Sequence, residues 1–177
     1  ASDVYKRQQQ DYIDKVNQDK EDVILKIQKQ INEKTEEVKN LVEEQDKLLE
    51  QAKLLAEQAD PLDSVSAKIQ QYLVLENQIE SKLNKLKKQL KFYEENDYCD
   101  TCGQEIEHEF KQSQIENSNS SISETVGGLK QLEQEITKSS SRVEKLRALK
   151  EEADQLTTTA SNKRSTATAI EEIIESL

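Results

Sequence analysis

The stretch Tyr98-Cys99-Asp100-Thr101-Cys102-Gly103-Gln104-Glu105-Ile106 decides how this chain folds. It holds both cysteines and the first of the three glycines. Helix-forming sequence runs into it from one side and out of it on the other. The simplest fold with those properties is all-α: a long antiparallel intrachain coiled-coil hairpin with a Cys-x-x-Cys at its tip. Residues 97–106 then form the apex, between an incoming arm over 1–96 and an outgoing arm over 107–177.

Composition supports long helices. Charged residues make up 34% of the 177, aromatics 4%, with one proline and no tryptophan. A globular domain of this length carries more apolar and aromatic side chains. Few helix breakers and a repeating apolar spacing favour helices over disorder. Such helices bury a narrow seam, so no small-molecule substrate pocket and no enzyme activity are expected. The net charge of -11 argues against a dedicated DNA-binding domain. No apolar run is long enough to span a membrane, and no secretory signal opens the chain. A cytoplasmic setting is expected, in a bacterium or a phage-infected host cell. Residues 1–8 carry no weight in this reading. The chain, which lacks an initiating methionine and stops inside a helical pattern at Leu177, reads as a fragment.

In the incoming arm, apolar residues alternate steps of three and four from Ile24, Ile27 and Ile31 through Leu41, Leu48 and Leu55 to Leu62, Ile69 and Leu73. Lys34, Gln45 and Ser66 fill the intervening seam positions. This sustained heptad implies a left-handed supercoil. Near Tyr72 a new stripe opens, through Leu75, Ile79, Leu83, Leu86, Leu90 and Tyr93. The change of phase predicts a stutter there. Asp60-Pro61 predicts a kink, with Asp60 capping a helix that restarts at Pro61. Asp63 then sits where an acid favours a helix N-terminus.

The outgoing seam is weaker: Ile122, Val126, Leu129, Leu132 and Ile136, then Val143, Leu146, Leu149, Ala153, Leu156, Ala160, Ala167, Ile170, Ile174 and Leu177. Serine and asparagine crowd the stretch from Ser113 to Ser123, and Gly127-Gly128 and Ser139 to Ser141 are further soft points. A turn centred between the cysteines pairs Pro61 with Ser140, Gly127-Gly128 with the region of Leu73, and Leu177 with Ile24. Residues before Ile24 are then left without a partner. An arm of about 75 residues would extend roughly 110 Å at 1.5 Å per residue.

The candidate metal ligands are Cys99 and Cys102. Structural zinc takes four ligands in a tetrahedron, with thiolate favoured. This chain offers two, so two copies meeting tip to tip would share one Zn2+ through four cysteines. Gly103 suits a tight backbone after the second ligand, and Asn96 and Asp97 suit the end of the incoming helix. A thioredoxin-like redox pair needs a βαβ setting that is not visible. A disulfide staple and His108 as a third ligand remain open; the favoured reading of His108 is a solvent-facing helix residue. Lys82, Lys85, Lys87, Lys88 and Lys91 form a basic cluster able to touch phosphates. The plainer reading is a solvated face paired with Glu105, Glu107 and Glu109. No phosphate-binding loop of the Gly-x-x-x-x-Gly-Lys-Ser/Thr type is present.

Cys99-Asp100-Thr101-Cys102-Gly103-Gln104-Glu105-Ile106-Glu107-His108, set between two long heptad arms, resembles the zinc hook of SbcC-type, SMC-like DNA double-strand-break repair ATPases. Within that family it looks most like the large subunits of T-even-type phage recombination endonucleases. Asp100 stands where many family hooks have proline. The resemblance implies that Cys99 and Cys102 are zinc ligands and that hooks join two chains as a homodimer. It also implies ATPase head domains flanking the arms, which bind a nuclease subunit and DNA. The function implied is zinc-mediated tethering in recombination and repair. The competing expectation is a structural coiled coil, cytoskeletal or phage-structural, with no metal role.

Overall fold

The computed structural model describes residues 2–177 and is all-α. Three helices follow one another: α1 (Ser2–Ala59), α2 (Leu62–Glu95) and α3 (His108–Ser176). No described helix is long and apolar enough to cross a membrane. The chain divides into two compact units, residues up to Glu57 with Lys150–Leu177, and Gln58–Leu149.

In the first unit, the covered face of α1 follows the expected heptad from Ile27 onward, including the polar seam positions Lys34 and Gln45. Before it, Tyr12 (71%) and Ile24 (61%) stand exposed. Along α3 one of the two seam positions is small: Ala153, Ala160 and Ala167 recur at heptad spacing and are buried, as is Ala52 on α1, while Leu156, Lys163 and Ile170 fill the other. Lys163 occupies a seam position on α3 and pairs with Glu44 of α1. That hydrogen bond first, and the lysine's charge second, lower the Glu44 carboxyl below its ordinary range. A long lysine at a seam position is tolerated because its stem covers apolar surface while its charged end reaches a partner at the edge.

The second unit starts at Gln58, just before the proline. Pro61 does not lead the helix as its first residue; it is itself the N-cap, at φ -69° and ψ -3°. No side chain caps α2, so the expected role of Asp60 is not realised. The Pro61 carbonyl instead accepts from the Val65 N–H at 3.0 Å and from the Ser64 hydroxyl at 2.9 Å. Proline lacks only a donor, and its carbonyl remains free to begin the new helix. Asp63 lies in the first turn, where the helix dipole favours an acid.

The seam changes phase beside this proline and not at Tyr72. Leu73 and Leu75 are exposed, at 36% and 43%. Tyr72 and Glu76 are half-buried in their place and carry an unbroken heptad on through Ile79, Leu83, Leu86, Leu90 and Tyr93. The expected stutter is therefore absent. The slip is a repeated step of three, from Ala59 to Leu62 to Val65. α3 makes the same repeated step from Val143 to Leu146 to Leu149. The two slips face each other: Val65, Val143 and Leu146 form a buried cluster, with Leu62, Ile69 and Leu149 packed around it. A repeated step of three overwinds a seam locally. Both helices must make it together for their apolar residues to stay in contact.

This contact also corrects the expected register. A turn centred on the cysteines would set Val65 opposite Ile136 and Glu44 opposite Thr157; Val65 instead packs with Val143, and Glu44 pairs with Lys163. The shift is roughly two turns at 3.6 residues each. Ser140 borders a groove with Ser66 and Ile69, and it is Leu62 that packs against the cluster of Val65, Val143 and Leu146. Val126 is exposed at 45%, and half-buried Thr125 takes its seam position.

Candidate metal centre

α2 ends at Asn96, whose extended backbone (φ -127°, ψ 138°) turns the chain out of the helix. Its N–H and its side-chain amide both donate to the Phe92 carbonyl, at 3.1 and 2.9 Å. The segment leading to α3 then closes on itself. Tyr98 and Glu105 form an antiparallel bridge. Ile106 N–H donates to the Asp97 carbonyl at 2.8 Å, and Cys99 N–H to the Gln104 carbonyl at 2.8 Å. Inside this clasp Gly103 N–H donates to the Cys99 carbonyl at 2.9 Å. Gly103 sits at φ +72°, a conformation that a residue with a Cβ adopts only with strain.

The helices on either side brace the clasp. Lys111 donates to Asp97 Oδ1 at 2.7 Å, and its hydrogen bond and charge hold the Asp97 carboxyl below its ordinary range. Tyr93 and Phe110 meet edge to face, with ring centroids 6.2 Å apart. Further along, Gln89 donates to Gln114 at 3.4 Å. Partner numbers therefore fall along α3 as they rise along α2: Val65 with Val143, Gln89 with Gln114, Asp97 with Lys111.

Both cysteines are free thiols; Cys99 is half-buried and Cys102 exposed. The turn aims backbone donors at one sulfur. The N–H of Cys102 first, then that of Thr101, then the Cys102 side chain lower the Cys99 thiol below its ordinary pKa. Slight desolvation and the Asp100 carboxylate oppose them. N–H groups directed at sulfur favour the thiolate, which is the form that binds metal. Cys102 Sγ lies 3.8 Å from Gln104 Oε1.

Among the described residues, no group of three or more histidine, cysteine or acidic side chains is placed to hold a metal ion. His108 opens α3 and is exposed, in agreement with its reading as a solvent-facing residue. The donor set of one chain is thus two sulfurs, half of a tetrahedral structural zinc site. It fits zinc only where a second pair of ligands is supplied from elsewhere. The turn holds Cys99, Cys102 and Gly103 together, as the sequence predicts; the sequence carries no sign of Lys111, whose contact with Asp97 ties α3 to the clasp. The basic cluster differs from expectation: none of Lys82, Lys85, Lys87, Lys88 and Lys91 forms an ion pair with Glu105, Glu107 or Glu109.

No protein-family model, curated protein or solved structure gives a significant match to this chain.

Proposed function

We propose that this chain is an antiparallel intrachain coiled-coil hairpin whose apex is a zinc hook. Cys99 and Cys102 of two chains hold one Zn2+ between them, and the metal supplies only a structural cross-link. The observation that carries the reading is the turn at the cysteines: Cys99 N–H donates to the Gln104 carbonyl and Gly103 N–H to the Cys99 carbonyl, with Gly103 in a left-handed conformation directly after Cys102. The opposite order of contacts along α2 and α3 supports the hairpin. The resemblance to SbcC-type hooks supports a tethering role in DNA recombination and repair. In that role, head domains outside this sequence engage a nuclease subunit and DNA. The working compartment is the cytoplasm of a bacterium or of a phage-infected cell.

Two measurements test the reading. In a chain carrying Cys99→Ser and Cys102→Ser, cysteines placed at Glu44 and Lys163 should be joined by a short bismaleimide within one molecule at high dilution. Products only between molecules would replace the hairpin with an intermolecular coil. Zinc analysis of the wild-type chain should find one ion per two chains. Zinc-free dimers or no dimers would leave a structural coiled coil with no metal role.

A further inference from the structure

From Ser81 to Tyr93 the chain carries five lysines and no acidic residue, within a protein of net charge -11. All five lysines are exposed, and none forms an ion pair among the described residues. At about 100° per residue, Lys88 stands opposite the seam through Ile79, Leu83, Leu86 and Leu90. Lys85 and Lys91 lie about 60° to either side of it, and Lys82 and Lys87, about 120° and 100° from it, flank the seam. Leu83 is buried and Leu86, Leu90 and Tyr93 are half-buried on the seam side, whereas half-buried Phe92 lies about 40° from Lys88, edge to face with Tyr93. The outer face is therefore cationic with a single half-buried aromatic ring.

We propose that this face of α2 binds the phosphate backbone of duplex DNA, independently of the sequence and of the metal site. Charge complementarity selects a polyanion. The absence of an exposed apolar edge disfavours a membrane surface, where binding scales with inserted apolar area as well as charge. Lysines supply point charges and no planar fork, which suits contacts to phosphates and not to bases. The net charge of the chain does not forbid this. Near physiological ionic strength the Debye length is about 8–10 Å. A phosphate at Lys88 then lies nearest Lys85, Lys87 and Lys91, each within three residues, while Lys82 and Glu94, both six residues away, offset each other. This surface adds a DNA contact within the coil itself, and it does not depend on the tethering reading being right.

Anisotropy of a labelled random-sequence duplex, titrated with the full chain at several salt concentrations, tests the proposal. Each neutralised phosphate contributes about -0.9 to the slope of log K against log salt, so a slope between about -3 and -4.5 is expected. Lys85→Glu, Lys88→Glu and Lys91→Glu together should weaken binding at least ~10-fold and bring the slope to about -2 or shallower. The same three positions changed to arginine should retain it. Reversing Lys26, Lys29 and Lys39 on α1 should leave it unchanged, and so should Cys99→Ser with Cys102→Ser measured per chain. Equal affinity in the α2 charge reversal would overturn the proposal. So would binding to phosphatidylserine vesicles or poly-glutamate as tight as to the duplex, or no binding to the duplex at low salt.

Discussion

At the scale of single residues, the two cysteines are not equivalent. Cys99 is half-buried and lies under the N–H groups of Cys102 and Thr101, whereas Cys102 is exposed. The folded pKa of Cys99 is therefore depressed from its ordinary value of 9.0. A depressed value means that thiolate stabilisation of the turn is complete above the unfolded pKa. It is lost as pH falls through the folded one. With a chelator present, alkylation of Cys99, resolved by tandem mass spectrometry, should reach half its maximal rate at a lower pH in the folded chain than in denaturant. Coincident midpoints would show that the turn does nothing for the sulfur. The turn was legible because two cysteines and a glycine interrupt an otherwise helical pattern, and Gly103 does take the left-handed conformation there. The inequality was not legible, because it depends on where two backbone N–H groups point. Lys111 was hidden for the same reason: nothing in its neighbourhood marks it until a turn brings Asp97 to it.

At the scale of helices, the first unit's α1 seam could be read from its alternate steps, and even Lys34 and Gln45 lie where the heptad puts them. The reading failed at Leu73 and Leu75, where hydrophobicity pointed one way and geometry another. Those leucines made a break near Tyr72 look natural. The helices instead slip together at Leu62–Val65 and Leu146–Leu149, a matched pair that neither helix discloses alone. With the phase set there, Tyr72 and Glu76 fall on the seam and the two leucines fall outside it. The energetic consequence separates the two seams. Leu146 is 7% exposed and central to the cluster, so Leu146→Ala should cost about 2–4 kcal/mol in chemical denaturation, as buried leucine truncations do. Leu75, at 43% exposed, should cost no more than about 0.5 kcal/mol as Leu75→Ala. Equal losses would return the break to Tyr72.

For the molecule as a whole, the decisive fact is that one chain supplies two sulfurs and no third ligand among its described residues. Water is a weak substitute for the missing thiolates, so zinc held by one chain is poorly bound. On the proposed reading a second chain would complete the tetrahedron, and metal binding and dimerisation would then be one linked equilibrium. The helices take no part in that linkage: α2 and α3 make their contacts within one chain, through the Val65 cluster, Gln89 with Gln114 and Asp97 with Lys111. Light scattering should therefore give about twice the chain mass of 20.3 kDa with zinc and the single mass with a chelator. Helical circular dichroism should be unchanged between the two. Binding releases the protons of whichever thiols are still protonated, so acid should dissociate the dimer. Cys99, already biased toward thiolate, contributes less to that pH dependence than an unperturbed thiol would. Cys99→Ser or Cys102→Ser should each abolish the zinc-dependent mass. His108→Ala should leave it nearly intact, since His108 is exposed at the start of α3. A mass indifferent to zinc and chelator across a range of protein concentrations would remove the shared site and leave the cysteines with no metal to hold.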